Sequence, residues 1–277
     1  MTGRPAFPDR TERPRSRRRR AMTMNFAFLH GGGQGSWVWA ETIAALHAQG
    51  SNDIANVLTL DVPGCGSKRD RRSDDLTLED VADELIGDIE ASGLTDVVLV
   101  GHSQAGQAMA LMMTRRPRLF RRCIFVSCSI PLPNQSVARM IGDGIRGENP
   151  DEVGWPMDPK TTPMEHRYDA MFCNDMDLPT KAAFLGRLGS DQWPLQTYAY
   201  TAWNYDGLDA VASTFVLCLR DNILPPAWQN VFAERFGTER TVTIDAGHQV
   251  MNTRPHALAE VLLIEAGNNG ATVADTL

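Results

Sequence analysis

The run Val98-Leu99-Val100-Gly101-His102-Ser103-Gln104-Ala105-Gly106 constrains this chain more than any other. The β-branched stretch from Asp96 to Val100 predicts a buried strand, and Gln104 to Arg115 predicts a helix that follows at once. Gly101 to Ala105 has the G-x-S-x-G spacing, with Ala in the last place and Gly106 next. A strand that turns straight into a helix forces its apex residue into strained backbone, so the flanking residues must be small. Ser103 is that apex. Its hydroxyl is expected to stand above the carboxyl end of the sheet, as a nucleophile would have to. A serine in an ordinary strand–helix turn would carry the same five-residue pattern, but not the strand before it and the helix after it.

A serine hydroxyl is a weak nucleophile at neutral pH and needs a base to take its proton and an acid to orient that base. The base candidate is His248 in Thr243-Ile-Asp-Ala-Gly-His-Gln-Val-Met, where a short strand ends in a glycine-containing loop. The acid candidate is Asp221, directly after the strand Thr214 to Leu219 and before the turn-forming Asn222-Ile-Leu-Pro-Pro. Both follow the carboxyl ends of predicted strands, where open α/β sheets gather their chemistry. No carboxylate follows the strand ending at Cys128, so that alternative location for the acid is empty. Taken singly, His248 reads as a loop histidine and Asp221 as a turn former; three such placements in one chain read as a set.

His30-Gly31-Gly32-Gly33-Gln34-Gly35-Ser36-Trp37 follows the first predicted strand, near residues 25–30. Glycines there let backbone N–H groups approach a substrate oxygen closely, as stabilising a tetrahedral oxyanion demands. The segment is neither G-x-x-x-x-G-K-[ST] nor G-x-G-x-x-G, which argues against a nucleoside triphosphate or a dinucleotide.

From about Asn25 to Ile264 the chain resembles the α/β-hydrolase superfamily, whose members carry Ser, Asp and His in this order. Asp61-Val-Pro-Gly-Cys-Gly-Ser is similar to a loop of that family, and Gly247-His248 with Pro255 downstream is similar to its histidine segment. His30-Gly31-x-x-x-Gly35-Ser36-Trp37 resembles the plant methyl-esterase and hydroxynitrile-lyase branch. Size, motifs and an aromatic insertion also resemble bacterial esterases that cleave the methyl carbamate of benzimidazole fungicides. The resemblance implies an α/β-hydrolase fold, a mostly parallel sheet covered by helices on both faces with an inserted helical cap. It implies Ser103 as nucleophile, His248 as base, Asp221 as orienting acid, and the N–H groups of Gly32 and Gln104 as oxyanion hole. The expected activity is hydrolysis of small apolar or aromatic esters or carbamates, with no metal or cofactor. Two other readings stay open: a hydroxynitrile-type lyase and a non-catalytic small-ligand receptor. Lyases of the branch usually carry Thr where this chain has Gly31 and Lys where it has Gln249, which favours hydrolysis.

The predicted organisation is an Arg-rich extension over 1–21, a hydrolase core over 22–130 and 207–277, and a helical cap over 131–206. The cap segment holds all four tyrosines together with Trp155, Trp193 and Trp203. Part of it must pack its own core; with Met157, Met164 and Met171 the rest is expected to roof an apolar pocket. His30, Trp155, Trp193 and Trp203 are the candidates for substrate contact. Five cysteines, an odd number with no C-x-x-C spacing, fit free thiols in a reducing, cytoplasmic setting. No apolar run reaches the ~18 residues of a membrane span, and no membrane partner is expected. The oligomeric state is left open, a homodimer included.

Residues 1–21 hold eight arginines and two acids, and almost nothing large and apolar, too little to bury for folding. No apolar stretch follows the arginines, so the segment does not read as a secretory signal. Met22 and Met24 precede the first strand, and the segment reads as an extension upstream of a second possible start. Without its net charge of +6 the formal charge of −7 becomes −13, which argues against a nucleic-acid partner. Deleting residues 1–21 should leave turnover and melting temperature unchanged. A large loss of activity in the truncated protein would assign the arginines a role.

Overall fold

The computed structural model describes residues 23–50 and 53–268; the Arg-rich segment 1–21 lies outside the described residues. Six strands form one all-parallel sheet in the order β2-β1-β3-β4-β5-β6. They are β1 (Met24–Leu29), β2 (Ile54–Leu60), β3 (Val97–His102), β4 (Phe120–Val126), β5 (Ser213–Cys218) and β6 (Arg240–Ile244). Every residue of β3 and β5 is buried, as expected of inner strands covered on both faces. The edge strands are mixed: Asn56 of β2 and Thr241 and Thr243 of β6 are exposed.

Because side chains alternate along a strand, the sheet feeds two separate cores. Ala27, Leu29, Val97, Leu99, Phe125 and Phe215 point to one face, Phe26, Phe28, Val98, Val100, Ile124 and Val216 to the other. Three helices cover the first face: α2 (Leu78–Ala91) and α3 (Ala105–Arg115), and, later in the chain, α8 (Pro226–Phe236). α1 (Ala40–Gly50) and α10 (Pro255–Gly267) cover the second. Each fully buried Leu, Val or Phe contributes roughly 1.5–3 kcal/mol. The start of α2 is set by Thr77, which accepts from the Asp80 N–H while the Asp80 carboxylate accepts from the Thr77 N–H. α8 ends at Gly237, in left-handed conformation at φ +63°.

Between β4 and β5 the chain leaves the sheet and builds a layer from α4 (Val137–Ile141), α5 (Met164–Phe172), α6 (Leu178–Leu185) and α7 (Gln196–Ala199). A further turn, α9 (Val250–Thr253), precedes α10 and is not legible as a separate element in the sequence. The strand reading to Cys128 is corrected: β4 ends at Val126, because Ser127 adopts φ +43°, although its N–H still reaches the Val216 carbonyl of β5.

β1 pairs with both β2 and β3, so the chain crosses from one side of β1 to the other. The carboxyl ends of β1 and β3 therefore flank a crevice, the place where open sheets bind ligands. Leu29 lies opposite Gly101 in the register, which brings the glycine segment after β1 beside Ser103.

Candidate active site

Ser103 stands at φ +56° between β3 and α3, a conformation few non-glycine residues adopt. Small neighbours are needed around it. A Cβ on Gly101 would lie 2.1 Å from the Met109 sulfur, and one on Gly106 would lie 2.7 Å from the Phe236 ring and 2.8 Å from Cys128 Cβ. The turn is pinned by hydrogen bonds from the Ser103 N–H to the Val126 carbonyl (3.1 Å) and from the Ser129 N–H to the Ser103 carbonyl (3.2 Å).

His248 Nε2 is 3.0 Å from Ser103 Oγ, and His248 Nδ1 is 2.6 Å from Asp221 Oδ2. Asp221 is buried and saturated with donors. Its Oδ1 accepts from the N–H groups of Ile223 (2.7 Å) and Leu224 (2.8 Å), and its Oδ2 also accepts from the Ser127 hydroxyl. Since Asp221 only accepts, His248 carries its proton on Nδ1 and offers the Nε2 lone pair to Ser103. The His102 ring packs against His248 at 4.5 Å, and its Nε2–H donates to the His248 carbonyl (3.0 Å).

The loop after β1 is held from two sides. The Gly31 carbonyl accepts from His30 Nδ1 (2.8 Å) and from the Trp193 indole N–H (3.1 Å). His30 Nε2 accepts in turn from the Val62 N–H (3.3 Å). In a trans peptide C=O and N–H point opposite ways, so fixing the Gly31 carbonyl turns the Gly32 N–H away from Trp193. Gly32 lines a cavity of about 480 Å³ together with Ser103 and Gln104. Among the described residues, neither the Gly32 nor the Gln104 N–H has a hydrogen-bond partner.

The insertion between β4 and β5 walls this cavity with Trp155, Tyr168, Met171, Phe172 and Tyr198, among others. Of the residues expected to contact substrate, Trp155 does line it. His30, Trp193 and Trp203 do not, and that expectation is corrected. Their polar nitrogens are used inside the protein, His30 and Trp193 on Gly31 and the Trp203 indole on the Gln135 carbonyl (2.7 Å). All three are buried. The expected apolar roof is also interrupted, because Arg167 belongs to the cavity wall.

The model of the α/β-hydrolase family matches residues 26–261. The chain belongs to this family. Among relatives of the hydrolase, a carbendazim hydrolyzing esterase from a Nocardioides strain is 25% identical over 268 residues, covering 86% of this chain and 98% of the relative. Probable esterase PIR7A from Oryza sativa is 31% identical over 138 residues, and there the match spans half the length of each protein. An extracellular α/β-hydrolase from a Paenibacillus species superposes with a TM-score of 0.69 at 20% identity, over 88% of this chain and 99% of that one.

Sequence reasoning missed Ser127, His102 and Asp175 of this hydrolase. Asp175, from the insertion, accepts from the Gly247 N–H (2.8 Å) and so holds the loop that presents His248. Ser127 carried no signal: with the strand read to Cys128 it falls inside the element, and only its positive φ places it past the end. All five cysteines are buried with no disulfide among them, including Cys65, whose thiol burial pushes up.

Burial lowers the imidazole pKa of His30 and holds that of His102 well below the ordinary value of about 6.5. Unfolded rings bind protons near pH ~6.5 and these folded rings do not, so below that value the unfolded state is the better proton acceptor. Stability should therefore fall as pH falls from ~7.5 to ~5.5, through the ordinary imidazole range. Urea unfolding at the two pH values checks this, and an unmoved midpoint would contradict two neutral buried rings.

Proposed function

We propose that this protein is a serine hydrolase that cleaves small carboxylic esters, and carbamates by the same chemistry, through an acyl-enzyme. The observation that carries the reading is the unbroken chain from Ser103 through His248 to Asp221, at 3.0 and 2.6 Å, opening beside two N–H groups that have no partner among the described residues. Ser103 Oγ attacks the carbonyl carbon as His248 Nε2 takes its proton. The oxyanion that forms is held by the N–H groups of Gly32 and Gln104. The intermediate collapses, and His248 returns the proton to the departing alkoxide. Water then attacks the acyl-enzyme with His248 again as base, releasing acid and free Ser103. Asp221 keeps the imidazole in the Nδ1–H tautomer and offsets the imidazolium charge.

Backbone donors stabilise any acyl tetrahedral intermediate, so leaving-group ability decides among substrates, and ordinary amides should be poor ones. The aromatic wall of Trp155, Tyr168 and Phe172 favours short aryl or methyl esters. The names of the relatives, esterases among them, support the same reaction class. Cyanohydrin cleavage is disfavoured at the position where lyases of this branch carry Thr. A Cβ on Gly31 would lie 3.0 Å from both Ser103 Cβ and His102 Nδ1, so a larger side chain there would require these neighbours to give by a few tenths of an ångström.

Labelling by a fluorophosphonate, read by intact mass, should add one adduct to the wild type and none to Ser103→Ala. Ser103→Ala and His248→Ala should each cost on the order of 10⁴–10⁶ in turnover of p-nitrophenyl esters, and Asp221→Asn ~10³–10⁴. Turnover should be insensitive to chelators. A folded Ser103→Ala protein that keeps most of its rate would end the nucleophile assignment.

Trp193→Phe keeps the ring and removes the indole donor to the Gly31 carbonyl. It should lower kcat about tenfold with little change in KM, because the orientation of the Gly32 N–H matters most once the oxyanion develops. A rise in KM at constant kcat would instead make Trp193 a substrate contact.

A further inference from the structure

Helix α5 turns one face to the cavity. Met164, Arg167, Tyr168, Met171 and Phe172 line it, at the i, i+3, i+4, i+7, i+8 spacing of a single helical stripe. Four of these are what a helix laid over an apolar cavity requires. Arg167 interrupts the stripe near its middle.

Among the described residues this guanidinium forms no ion pair. Its Nε is closed to solvent and makes no hydrogen bond among the described residues. The acids nearest to it along α5 are engaged elsewhere, Asp169 with Lys181 and Glu165 beside His166 on the exposed side. Across the cavity wall Asp191 is consumed by the Gly66 N–H (2.8 Å), Arg69 (2.8 Å) and the Trp37 indole (2.9 Å). A cation that has lost part of its hydration without an internal counter-charge is costly unless a ligand supplies one. Arginine also presents a planar fork that matches a carboxylate.

We propose that Arg167 is a specificity-determining residue that binds a carboxylate on the substrate, remote from the ester that Ser103 attacks. The inference rests on the hydrolase reading above and deepens it: the preferred substrates are half-esters, one carboxyl esterified and the other free. The aromatic wall holds the body of such a molecule, and Arg167 and Ser103 engage its two ends.

The test compares kcat/KM for monomethyl isophthalate and monomethyl terephthalate with that of their neutral carboxamide counterparts, which have nearly the same shape. In the wild type at least one acid should be preferred over its amide by about tenfold or more, since a hydrogen-bonded charge is worth that much. High salt should shrink the preference. Arg167→Met should bring the ratio near one, with folding checked by thermal unfolding, and Arg167→Lys should keep part of it as a point charge. Amides turned over as well as acids by the wild type, or a preference untouched in Arg167→Met, would overturn the proposal. Calorimetric titration of Ser103→Ala with the half-esters separates the two readings. Binding that vanishes in the Ser103→Ala/Arg167→Met double variant keeps the carboxylate site even if hydrolysis fails, and binding indifferent to Arg167 removes it.

Discussion

The backbone of Ser103 is the constraint on which the rest of the site depends. A non-glycine residue at φ +56° costs of order 1–3 kcal/mol and persists only where its surroundings leave no alternative. Here β3 is buried along its whole length, α3 starts two residues after the apex, and the Met109 sulfur and the Phe236 ring fill the space at Gly101 and Gly106. Relaxing the turn would pull β3 or α3 out of the two cores. The strain is thus held by burial on both faces of the sheet, and it sets the Ser103 hydroxyl and the Gln104 N–H at the same corner of the cavity.

The inserted layer does more than roof that corner. It grips the loops after β1, β5 and β6, each of which carries part of the site: Trp193 on the Gly31 carbonyl, Arg146 on the Asn222 carbonyl (2.6 Å) and Asp175 on the Gly247 N–H. Asn222 answers by donating to the Ala170 carbonyl at 2.8 Å. The Trp193, Arg146 and Asp175 contacts are all to main chain of the site loops, which sets loop position whatever side chain the loop bears. Groups aimed in advance at a developing charge need no rearrangement when it forms, so the layer that walls the cavity also sets how the loops around Ser103 are aimed.

Much of this was legible in the sequence, and what was not has physical reasons. Strands such as Val97 to Val100 announce themselves because burial on both faces demands an unbroken apolar run. Ser103, Asp221 and His248 could be brought together on paper because parallel strands deliver their carboxyl ends to one edge. The inserted layer lacks such a rule. Its helices are short, and an indole buried for packing has the same sequence signature as one facing a cavity. Trp155 and Trp193 are told apart only by where their neighbours stand. His30 misleads in the same way: it follows a strand at the site edge, yet burial and the Gly31 and Val62 hydrogen bonds make it part of the frame. Arg167 is the reverse case. The stripe from Met164 to Phe172 is readable from spacing, but only the cavity beside it turns a charge in that stripe from a solvated side chain into a wall residue.

Ser127 shows how far from Ser103 the geometry of the site is set. Its positive φ ends β4 and swings its hydroxyl to Asp221 Oδ2, the oxygen that His248 Nδ1 also uses. With Oδ1 tied to two N–H groups of its own loop, the carboxylate is held in place, and as an acceptor it favours the Nδ1–H tautomer of His248. The imidazole is further clamped by His102, which holds the His248 carbonyl and packs against its ring. The direction of the Nε2 lone pair is therefore decided at the ends of β3, β4 and β5 together. Three adjacent parallel strands ending at one edge supply what no single loop could: an imidazole whose tautomer, tilt and distance to Ser103 are set together.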